Sequence, residues 1–429
     1  MKQTGFILDL DRCTGCSACA IACRNENPVS SEVDWRTVFT GNARRAPGQA
    51  VLHYSLACNH CRRPACLLGC PARAYEKDRR TGAVVLNPSH CIGCGYCSWV
   101  CPYDAPKLNE RGVMEKCTFC LHRLADELPP MCVAACPTGA LGIDPDAAEG
   151  PIDRPGFPDT GLAPSISIVS SRRQTGPATT FDDSIVIREA PQPRLQWSAF
   201  ASEWTLWLFT SVATLLVAWL ADALLGGPEL ASIPFAAAGG VAMAVSALHL
   251  RRPERMWRAL FGLRTSWISR EVASFALFFA GACAWSLGAA RDWLGWAVFG
   301  FGLLALLAMD MVYRIRGARV AAVPHSAMTT LTVPLYVAFL VSSPVVLWSV
   351  AVVKAVLYLI PGRPHGSAVW ALLRLILLGA PIAAFFLLEM PTALLLGGLV
   401  LGELMDRAEL YAGLCFVTPE RQIADDFAI

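Results

Sequence analysis

The chain has 429 residues, a formal net charge of +2 and a hydrophobic fraction of 54%. This length is enough for two or three domains, and the near-neutral charge gives no reason to expect a nucleic acid as a partner. The composition changes along the chain: sixteen of the eighteen cysteines precede residue 137, whereas the second half is rich in Leu, Ala, Val and Trp. We therefore expect a cysteine-rich domain followed by an apolar one.

The cysteine-rich part contains four groups of four cysteines. The third group, C-x2-C-x2-C-x3-C-P, has the spacing of bacterial two-cluster ferredoxins, in which three thiolates of one loop bind one cluster and the fourth binds another. The first group repeats this spacing without the proline, and the other two have longer gaps. Sixteen ligands at four per cluster predict four [4Fe–4S] clusters. The groups are Cys13, Cys16, Cys19 and Cys23; Cys58, Cys61, Cys66 and Cys70; Cys91, Cys94, Cys97 and Cys101; and Cys117, Cys120, Cys132 and Cys136.

Zinc sites and disulfides are the alternatives for so many cysteines. Zinc sites generally use two C-x2-C pairs or pairs of Cys and His, and not four-cysteine runs that end in Cys-Pro. Disulfides are expected of secreted chains, and no cleavable signal peptide is recognisable at the N-terminus. The recurrence of one specific spacing favours iron–sulfur clusters over both.

Residues 1–143 are predicted to form an α+β domain built as a duplicated ferredoxin. RCTGCSACAIAC and HCIGCGYCSWVC are an internal repeat, which indicates a duplicated structural unit. We expect short helices after the cysteine runs and a hairpin at TGAVVLNP. Because metal ligation replaces much of the core of such a domain, the apoprotein is expected to fold poorly.

Residues 144–200 are interpreted as an extended connector. GPIDRPGFPDTGLAP has no helical or strand period and is rich in residues that interrupt both. SISIVSS and SIVIREA have the composition of short strands. The connector is long for a loop inside a compact domain, so we expect it to run over the cysteine-rich domain before it reaches the apolar half.

Residues 201–415 are predicted to form an all-α, multi-pass membrane domain of seven or eight helices, followed by a C-terminal tail, 416–429. Several apolar runs approach the roughly 20 residues that cross a lipid bilayer, and tryptophans stand near their ends, as at lipid interfaces. The run 328–360 is too long for one upright helix and short for two, and Pro344 is expected to break it. The clear spans are Glu203–Leu225, Ser232–Leu250, Glu271–Ala289, Trp293–Tyr313, Ala368–Leu388 and Pro391–Tyr411.

The apolar half has few candidate cofactor ligands. A transmembrane b-type haem needs axial ligands, usually histidines that face each other inside the bundle, so we expect no haem. Charged residues cluster at span ends, with Asp310 as the chief exception. For Asp310 and Glu403, a structural role and a proton path are both open, and Cys283 and Cys415 are interpreted as small apolar residues. The three histidines lie at span ends or in loops: His249, His325 and His365.

These motifs resemble a known family. The first half resembles the four-cluster iron–sulfur subunit of dimethyl sulfoxide reductases, through its four cysteine groups and through CIGCGYCSWVCPYDAPK, CTFCLHRL and PSISIVSSRRQTGPATT. The second half resembles the membrane anchor of the same enzymes, which has eight helices, through HLRRPERMW, SREVASFALFFAG, VAAVPHSAMT and LGELMDRAELYAGL. The chain therefore looks like a fusion of two subunits that are normally separate.

The resemblance implies a partner and a pairing of cysteine groups. In this family a separate catalytic subunit carries a molybdopterin cofactor, so the chain would pass electrons between that subunit and membrane quinone. Groups one and four would pair, as would groups two and three. The implied ligand sets are Cys13, Cys16, Cys19 and Cys136; Cys117, Cys120, Cys132 and Cys23; Cys58, Cys61, Cys66 and Cys101; and Cys91, Cys94, Cys97 and Cys70.

A quinone site is expected where the second span ends and the third begins. His249 and Glu271 lie at this boundary, with Arg255 on the loop between them, and the family's anchor has a matching histidine, arginine and glutamate. An unperturbed histidine titrates near pH 6.5, which suits proton exchange with a quinone oxygen, and an arginine can bind that oxygen or hold the carboxylate charged. The alternative is that His249 caps a helix end, where a cation is favourable.

Arginines on the loops suggest an orientation. Loops on the same side as the cysteine-rich domain hold most of them, including Arg251, Arg252 and Arg314, and the positive-inside rule makes that side cytoplasmic in a bacterial inner membrane. The alternative is that these arginines dock the cysteine-rich domain or its partner. An inward-facing relative resembles membrane-bound sulfite-oxidising enzymes more than outward-facing dimethyl sulfoxide reductases.

Three function classes follow from these features. The preferred one is an electron-transfer and anchor subunit of a molybdenum oxidoreductase, which is itself not the catalytic subunit. The second is a redox-driven ion pump that resembles the polysulfide reductase anchor and requires a line of ionisable residues through the bundle. The third is a scaffold with structural clusters, for which sixteen complete ligands would be unnecessary.

Overall fold

The computed structural model describes residues 3–43, 50–147, 160–170, 197–288, 292–315, 325–360, 367–388, 390–414 and 418–420, together with Ile152, Phe157 and Ile423. Contacts between Cα atoms divide the chain into two units. The first unit is Met1–Pro191 with Phe416–Ile429, and the second is Gln192–Cys415. The connector up to Pro191 and the C-terminal tail are therefore grouped with the cysteine-rich part.

A three-stranded sheet joins distant parts of the first unit. Strand β1 (Gly5–Asp9) lies between β8 (Leu141–Asp144), to which it is antiparallel, and β9 (Ile166–Val169), to which it is parallel. Phe6 and Leu8 are buried whereas Ile7 and Asp9 are half-buried, the two-residue period of a strand with one face in the core. The strand expected in SISIVSS is thus confirmed as β9, whereas SIVIREA lies outside the described residues.

Short elements fill the rest of the first unit. Three antiparallel strand pairs accompany the sheet: β2 (Thr37–Gly41) with β3 (Leu52–Leu56), β4 (Tyr75–Lys77) with β5 (Val84–Leu86), and β6 (Lys107–Leu108) with β7 (Met114–Glu115). The hairpin expected at TGAVVLNP is confirmed, because this segment contains β5, which pairs with the preceding strand β4. Short helices are present, but they lie within the cysteine groups and not after them as expected. They are α1 (Ala18–Glu26), α2 (Ala65–Gly69), α3 (Tyr96–Trp99), α4 (Leu121–Ala125) and α5 (Met131–Ala134).

The core of the first unit mixes apolar side chains with cysteines. Phe6, Leu8, Tyr54 and Phe119 are at most 2% exposed and lie in one cluster with Cys19, Cys23, Cys58, Cys117 and Cys132. Ile423 of the tail, 3% exposed, belongs to the same cluster. Ile423 is therefore part of the core of the first unit, which no pattern in residues 416–429 had indicated.

The described part of the second unit is helical. Each of the six clear spans predicted from the sequence overlaps one of its helices. The helices are α6 (Trp197–Leu224), α7 (Ser232–Ala247), α8 (Trp267–Ser286), α9 (Asp292–Val312), α10 (Thr329–Leu340), α11 (Pro344–Tyr358), α12 (Ala368–Leu387) and α13 (Thr392–Ala412), with a 3₁₀ helix, Pro253–Leu260, before α8.

Three of these helices are long and apolar enough to cross a membrane, by length and composition: Phe200–Leu224 within α6, Trp293–Val312 within α9, and α12. Helices α7, α10 and α11 are apolar but shorter, whereas α8 and α13 have the length and carry charged residues. The second unit is therefore suited to a membrane, and the number of helices that cross it stays a prediction.

The ambiguous run 328–360 forms a helical hairpin. Helix α10 ends at Leu340, Ser342 has a left-handed backbone with φ of 57°, and α11 begins at Pro344. Proline is favourable in the first turn of a helix because no N–H is needed there, so the break expected at Pro344 is confirmed. Helices of 12 and 15 residues are about 18 and 22 Å long, less than the roughly 30 Å hydrocarbon thickness of a bilayer.

Candidate metal centres

Three cavities of the first unit are each lined by four cysteines. We name these set one (Cys13, Cys16, Cys19 and Cys136), set three (Cys58, Cys61, Cys66 and Cys101) and set four (Cys70, Cys91, Cys94 and Cys97). In each set three cysteines come from one group and the fourth comes from the end of another. The structure thus brings together the sets that the resemblance implied.

The remaining four cysteines form set two: Cys23, Cys117, Cys120 and Cys132. Cys23 interacts electrostatically with Cys132 and Cys120, and Cys117 interacts with Cys23 and Cys132. The buried Asn27 side-chain amide lies 3.8 Å from the Cys23 sulfur and 3.6 Å from the Cys120 sulfur. Four sulfurs converging from two chain segments are the donor set that a [4Fe–4S] cluster takes, so the residues of all four sets fit this group.

A left-handed residue shapes the loop in every group. The residue before the second cysteine has positive φ in each: Gly15 (70°), His60 (43°), Gly93 (69°) and Phe119 (63°). This turn points N–H groups at sulfur, as at Gly93 and Phe119, whose nitrogens lie 3.4 and 3.3 Å from the preceding cysteine sulfurs. Glycine adopts this conformation freely, whereas it is uncommon for His and Phe.

The two strained aromatic residues support each other. The His60 and Phe119 rings meet edge to face at 5.0 Å, and Phe119 also packs on Phe6 at 4.6 Å. Residues in sparsely populated backbone conformations persist when the surrounding structure over-determines them. Burial, followed by the nearby positive charges of Lys116 and Arg36, lowers the pKa of His60 well below its ordinary value, so His60 is neutral.

Several cysteines hold their protons tightly without metal. Burial raises the pKa of Cys94 and Cys101 each to about 12. Cys136 differs: although burial opposes ionisation, hydrogen bonds from the Leu141 N–H and from Thr138 lower its pKa. Because metal ligands bind as thiolates, loading these sites must release protons, and we expect the free thiols to be poor nucleophiles until then.

Comparison with known proteins supports this interpretation of the cysteine sets. A family model described as a 4Fe-4S dicluster domain matches residues 49–144. One chain of the anaerobic dimethyl sulfoxide reductase of Haemophilus influenzae is 41% identical over 155 residues, which are 34% of this protein and 75% of that one. This protein belongs to the family of dimethyl sulfoxide reductase iron–sulfur subunits.

Other relatives of this iron–sulfur family come from different enzymes. One subunit of the tetrathionate reductase of Salmonella typhimurium is 41% identical over 138 residues, 32% of this chain and 55% of that protein. One subunit of the sulfite dehydrogenase of Allochromatium vinosum is 34% identical over 162 residues, 33% of this chain and 68% of that protein. The matches cover the iron–sulfur part, and the helical region beyond it fits a membrane anchor fused to an iron–sulfur subunit.

The candidate quinone residues lie on successive elements of this helical region. His249 is half-buried just after α7, Arg255 lies on the 3₁₀ helix and Glu271 lies in the second turn of α8. Both α7 and the 3₁₀ helix pack against α8. His249 Nδ1 contacts the carbonyl oxygen of Ser246, and Arg255 Nε lies 3.8 Å from the Glu254 carboxylate.

A buried ionic cluster lies within α11, α12 and α13. We use this name for Lys354, Arg374, Glu403 and Asp406, all at most 4% exposed. Glu403 accepts from Lys354 Nζ at 2.8 Å and from Arg374 Nη2 at 2.6 Å, and Arg374 Nη2 lies 3.2 Å from Asp406. Arg374 is about 9 Å along α12 from its start, because each helical residue rises 1.5 Å.

The position of this cluster corrects the expectation that charged residues gather at span ends. Lys354 and Arg374 were not predicted from the sequence, since a single cation within an apolar run gives no sign of its partner. The described neighbours do not satisfy Arg374 fully, because its Nε and Nη1 atoms find no hydrogen-bond acceptor among them.

Asp310 has a structural role in the fold. Its carboxylate accepts from the backbone N–H groups of Thr329 and Thr330 at 2.8 and 2.9 Å. These are the first residues of α10, where N–H groups lack partners within the helix and a negative charge is favourable. Asp310 thus caps a neighbouring helix, which supports the structural alternative over a proton path.

Two cysteines lie outside the four sets, and two basic residues lie among the cysteines of the sets. Cys283 is half-buried in α8, and Cys415 lies outside the described residues. Two cations among the cysteine sets, Arg36 and Lys116, are each 3% exposed and were not predicted from the sequence. Lys116 directly precedes Cys117, and this adjacency was the available signal.

Proposed function

We propose that the chain passes electrons between the membrane quinone pool and a separate molybdopterin-containing catalytic subunit, through four [4Fe–4S] clusters. The observation that carries this proposal is the gathering of sixteen cysteines into four sets in a chain that also holds a membrane-type helical unit. The relatives are named as single chains or subunits of reductases and of a dehydrogenase, which supports a catalytic partner.

The chain's own residues would do three things in this function. The cysteine sets would hold the clusters, each of which, when bound, takes up and passes on single electrons. Buried apolar residues of the first unit, such as Tyr54 and Phe119, keep water away from the sites, and N–H groups directed at sulfur support the ligands. In each cysteine group the last cysteine belongs to a different set from the other three, so neighbouring sites are joined by a short stretch of chain. This closeness favours electron transfer along the domain.

At the quinone end, oxidation of a quinol releases two electrons and two protons. The contact of His249 with the Ser246 carbonyl orients the ring so that Nδ1 donates, which leaves Nε2 free to accept a proton from a quinol oxygen. The helix-end contact and the quinone role are therefore compatible. Glu271 would take the second proton to water, and Arg255 would bind the quinone oxygen or hold that carboxylate charged.

Replacing His249 with Ala or Glu271 with Gln should slow reduction of the clusters by a quinol analogue on the order of a hundredfold, the range that a lost acid–base group accounts for. Cluster reduction is followed by absorbance in stopped flow, with iron content verified first. Glu229→Gln, an exposed carboxylate between α6 and α7, is the matched control. Normal rates in both variants would place quinone elsewhere.

We further propose that the iron–sulfur domain faces the cytoplasm of a bacterial cell. Loops between α7 and α8 carry Arg251, Arg252, Arg255 and Arg258, and basic loops stay on the cytoplasmic side. Reporters fused after Ile429 or inserted near Gly161 should read cytoplasmic, and one inserted at Gly227, between α6 and α7, should read periplasmic. The reverse pattern would favour an exported reductase.

The buried ionic cluster favours one second candidate function, redox-driven ion translocation. Titratable groups such as Glu403 and Lys354 stand within the helical unit, where they are costly unless they have a role. The two candidates differ in the number of protons released per quinol oxidised in sealed vesicles that contain the complete complex. Release of two supports electron transfer alone, whereas release of more than two supports a pump.

A further inference from the structure

Arg36 is a buried cation among the cysteines of sets one and two. It is 3% exposed, and its Nη1 donates to the Ser55 carbonyl and hydroxyl oxygens at 3.0 Å each. The Ser55 hydroxyl in turn lies 3.1 Å from the sulfur of Cys19. Arg36 Nε and Nη2 have no oxygen or nitrogen acceptor among the described residues, and the guanidinium interacts with the Cys132 thiol of set two.

The groups that attract Arg36 are cysteine sulfurs from two sets. Burial opposes its charge, but Cys132, Cys117 and Cys23 of set two and Cys19 of set one together raise the pKa of the guanidinium. The guanidinium carbon, Cζ, of Arg36 also lies 4.6 Å from the centre of the Phe6 ring. Arg36 therefore stands between two cluster sites as a permanent positive charge, because a guanidinium does not lose its proton in proteins.

Lys116 stands in the same relation to sets two and three. It is 3% exposed, and its ammonium group donates to the carbonyl oxygens of Val84 and, at 3.0 Å, of Cys117. It lines the cavity of set three and is the one charged residue among the described residues that do so. Burial opposes its charge, while Cys58 and Cys66 of set three and Cys117 of set two raise its pKa.

The described lining of set four includes no charged side chain. The lining of set one includes none either, but it contains Ser55, whose hydroxyl and carbonyl oxygens accept hydrogen bonds from Arg36. A positive charge stabilises a neighbouring site more strongly after that site has gained an electron. The effect is large where burial keeps the effective dielectric low. Cluster potentials depend on net charge and on hydrogen bonds to sulfur, so the placement of two cations distinguishes the sites.

We propose that Arg36 and Lys116 are positioning charges between neighbouring sites, and that they raise the reduction potentials of the clusters in sets one, two and three relative to set four. This inference rests on the proposed cluster binding. Electrons at equilibrium would then favour the first three sites over the fourth, so the two cations would determine the order in which the clusters fill.

The test is a redox titration of the full chain, purified anaerobically in detergent, followed by electron paramagnetic resonance. Arg36→Met should lower two of the four midpoint potentials, those of sets one and two. Lys116→Met should lower those of sets two and three. One potential should therefore fall in both variants, and one, that of set four, in neither. We expect a shift of at least tenfold in the reduced-to-oxidised ratio at fixed potential, which is about 59 mV for one electron. This pattern needs no prior assignment of signals to sites.

Arg79→Gln is the matched control, because this arginine is exposed and its removal should leave all four potentials in place. Lys116→Arg and Arg36→Lys keep the positive charge, so both should keep the wild-type potentials. These two variants test the inference even if a neutral variant binds less iron. The inference would be overturned if the neutral variants shift all four potentials equally or shift none. It would also be overturned if Lys116→Arg or Arg36→Lys binds its full iron content but no longer has the wild-type potentials. Iron analysis of the wild type tests cluster binding separately: a wild type without iron would contradict the proposed function, whereas unchanged potentials in iron-loaded variants would contradict only this inference.

Discussion

Replacing Cys101 with Ser should remove one cluster, and that cluster should be the one held by the second cysteine group. Cys101 ends the third group in sequence but lines the cavity of set three with Cys58, Cys61 and Cys66. The wild type should contain about sixteen irons per chain and the variant about twelve, because a [4Fe–4S] cluster generally needs its four cysteines. Iron and sulfide analysis of anaerobically purified protein measures the loss.

Double variants make this prediction specific to the crossed arrangement. Cys58→Ser combined with Cys101→Ser should lose no more iron than either alone, because both cysteines belong to set three. Cys91→Ser combined with Cys101→Ser should lose about eight irons, since two sets of four ligands are then incomplete. Cys283→Ser, outside the sets, should lose none. The opposite pattern in the two double variants would show that each group builds its own cluster.

Removing one charge of the buried ionic cluster should destabilise the helical unit strongly. Glu403→Leu leaves Lys354 and Arg374 buried without the carboxylate that both contact at less than 3 Å. Breaking such a pair by removing one partner costs about 3–5 kcal/mol, because a buried charge loses its compensation. Thermal unfolding of the protein in detergent should therefore begin at clearly lower temperature than in the wild type.

A second substitution should recover part of that loss. Lys354→Met in the Glu403→Leu background removes the uncompensated ammonium group, so the double variant should be more stable than Glu403→Leu alone, as replacing a buried pair by apolar residues is often neutral. Glu229→Gln, at an exposed position, should unfold as the wild type does. If Glu403→Leu also unfolds as the wild type does, the four side chains do not form a stabilising ionic cluster.

Local patterns were sufficient to predict much of the first unit. Cysteine spacing constrains a loop over a few residues, so it indicated the gathering of Cys91, Cys94 and Cys97 before any tertiary information. The fourth member of each set comes from a distant segment, and only the resemblance implied it. The structure places these sulfurs together, and the number of four clusters is our proposal.

The missed residues share a physical cause. Arg36, Lys354 and Arg374 acquire their meaning from partners that are distant in sequence, such as Cys132 for Arg36 and Glu403 for the other two. A cation within an apolar run is equally compatible with a side chain that reaches to the membrane surface. Helix positions were predictable because apolar length is a local property, and the break at Pro344 followed from the missing N–H of proline.

The burial of Ile423 in the core of the first unit has a consequence for biosynthesis. A ribosome completes the cysteine groups early, but it reaches Ile423 only after every helix of the second unit has been made. At about 5–20 residues per second, the intervening segment takes on the order of tens of seconds. During that interval the core of the cysteine-rich domain still lacks one side chain, so this core is completed only after the helical unit has been synthesised.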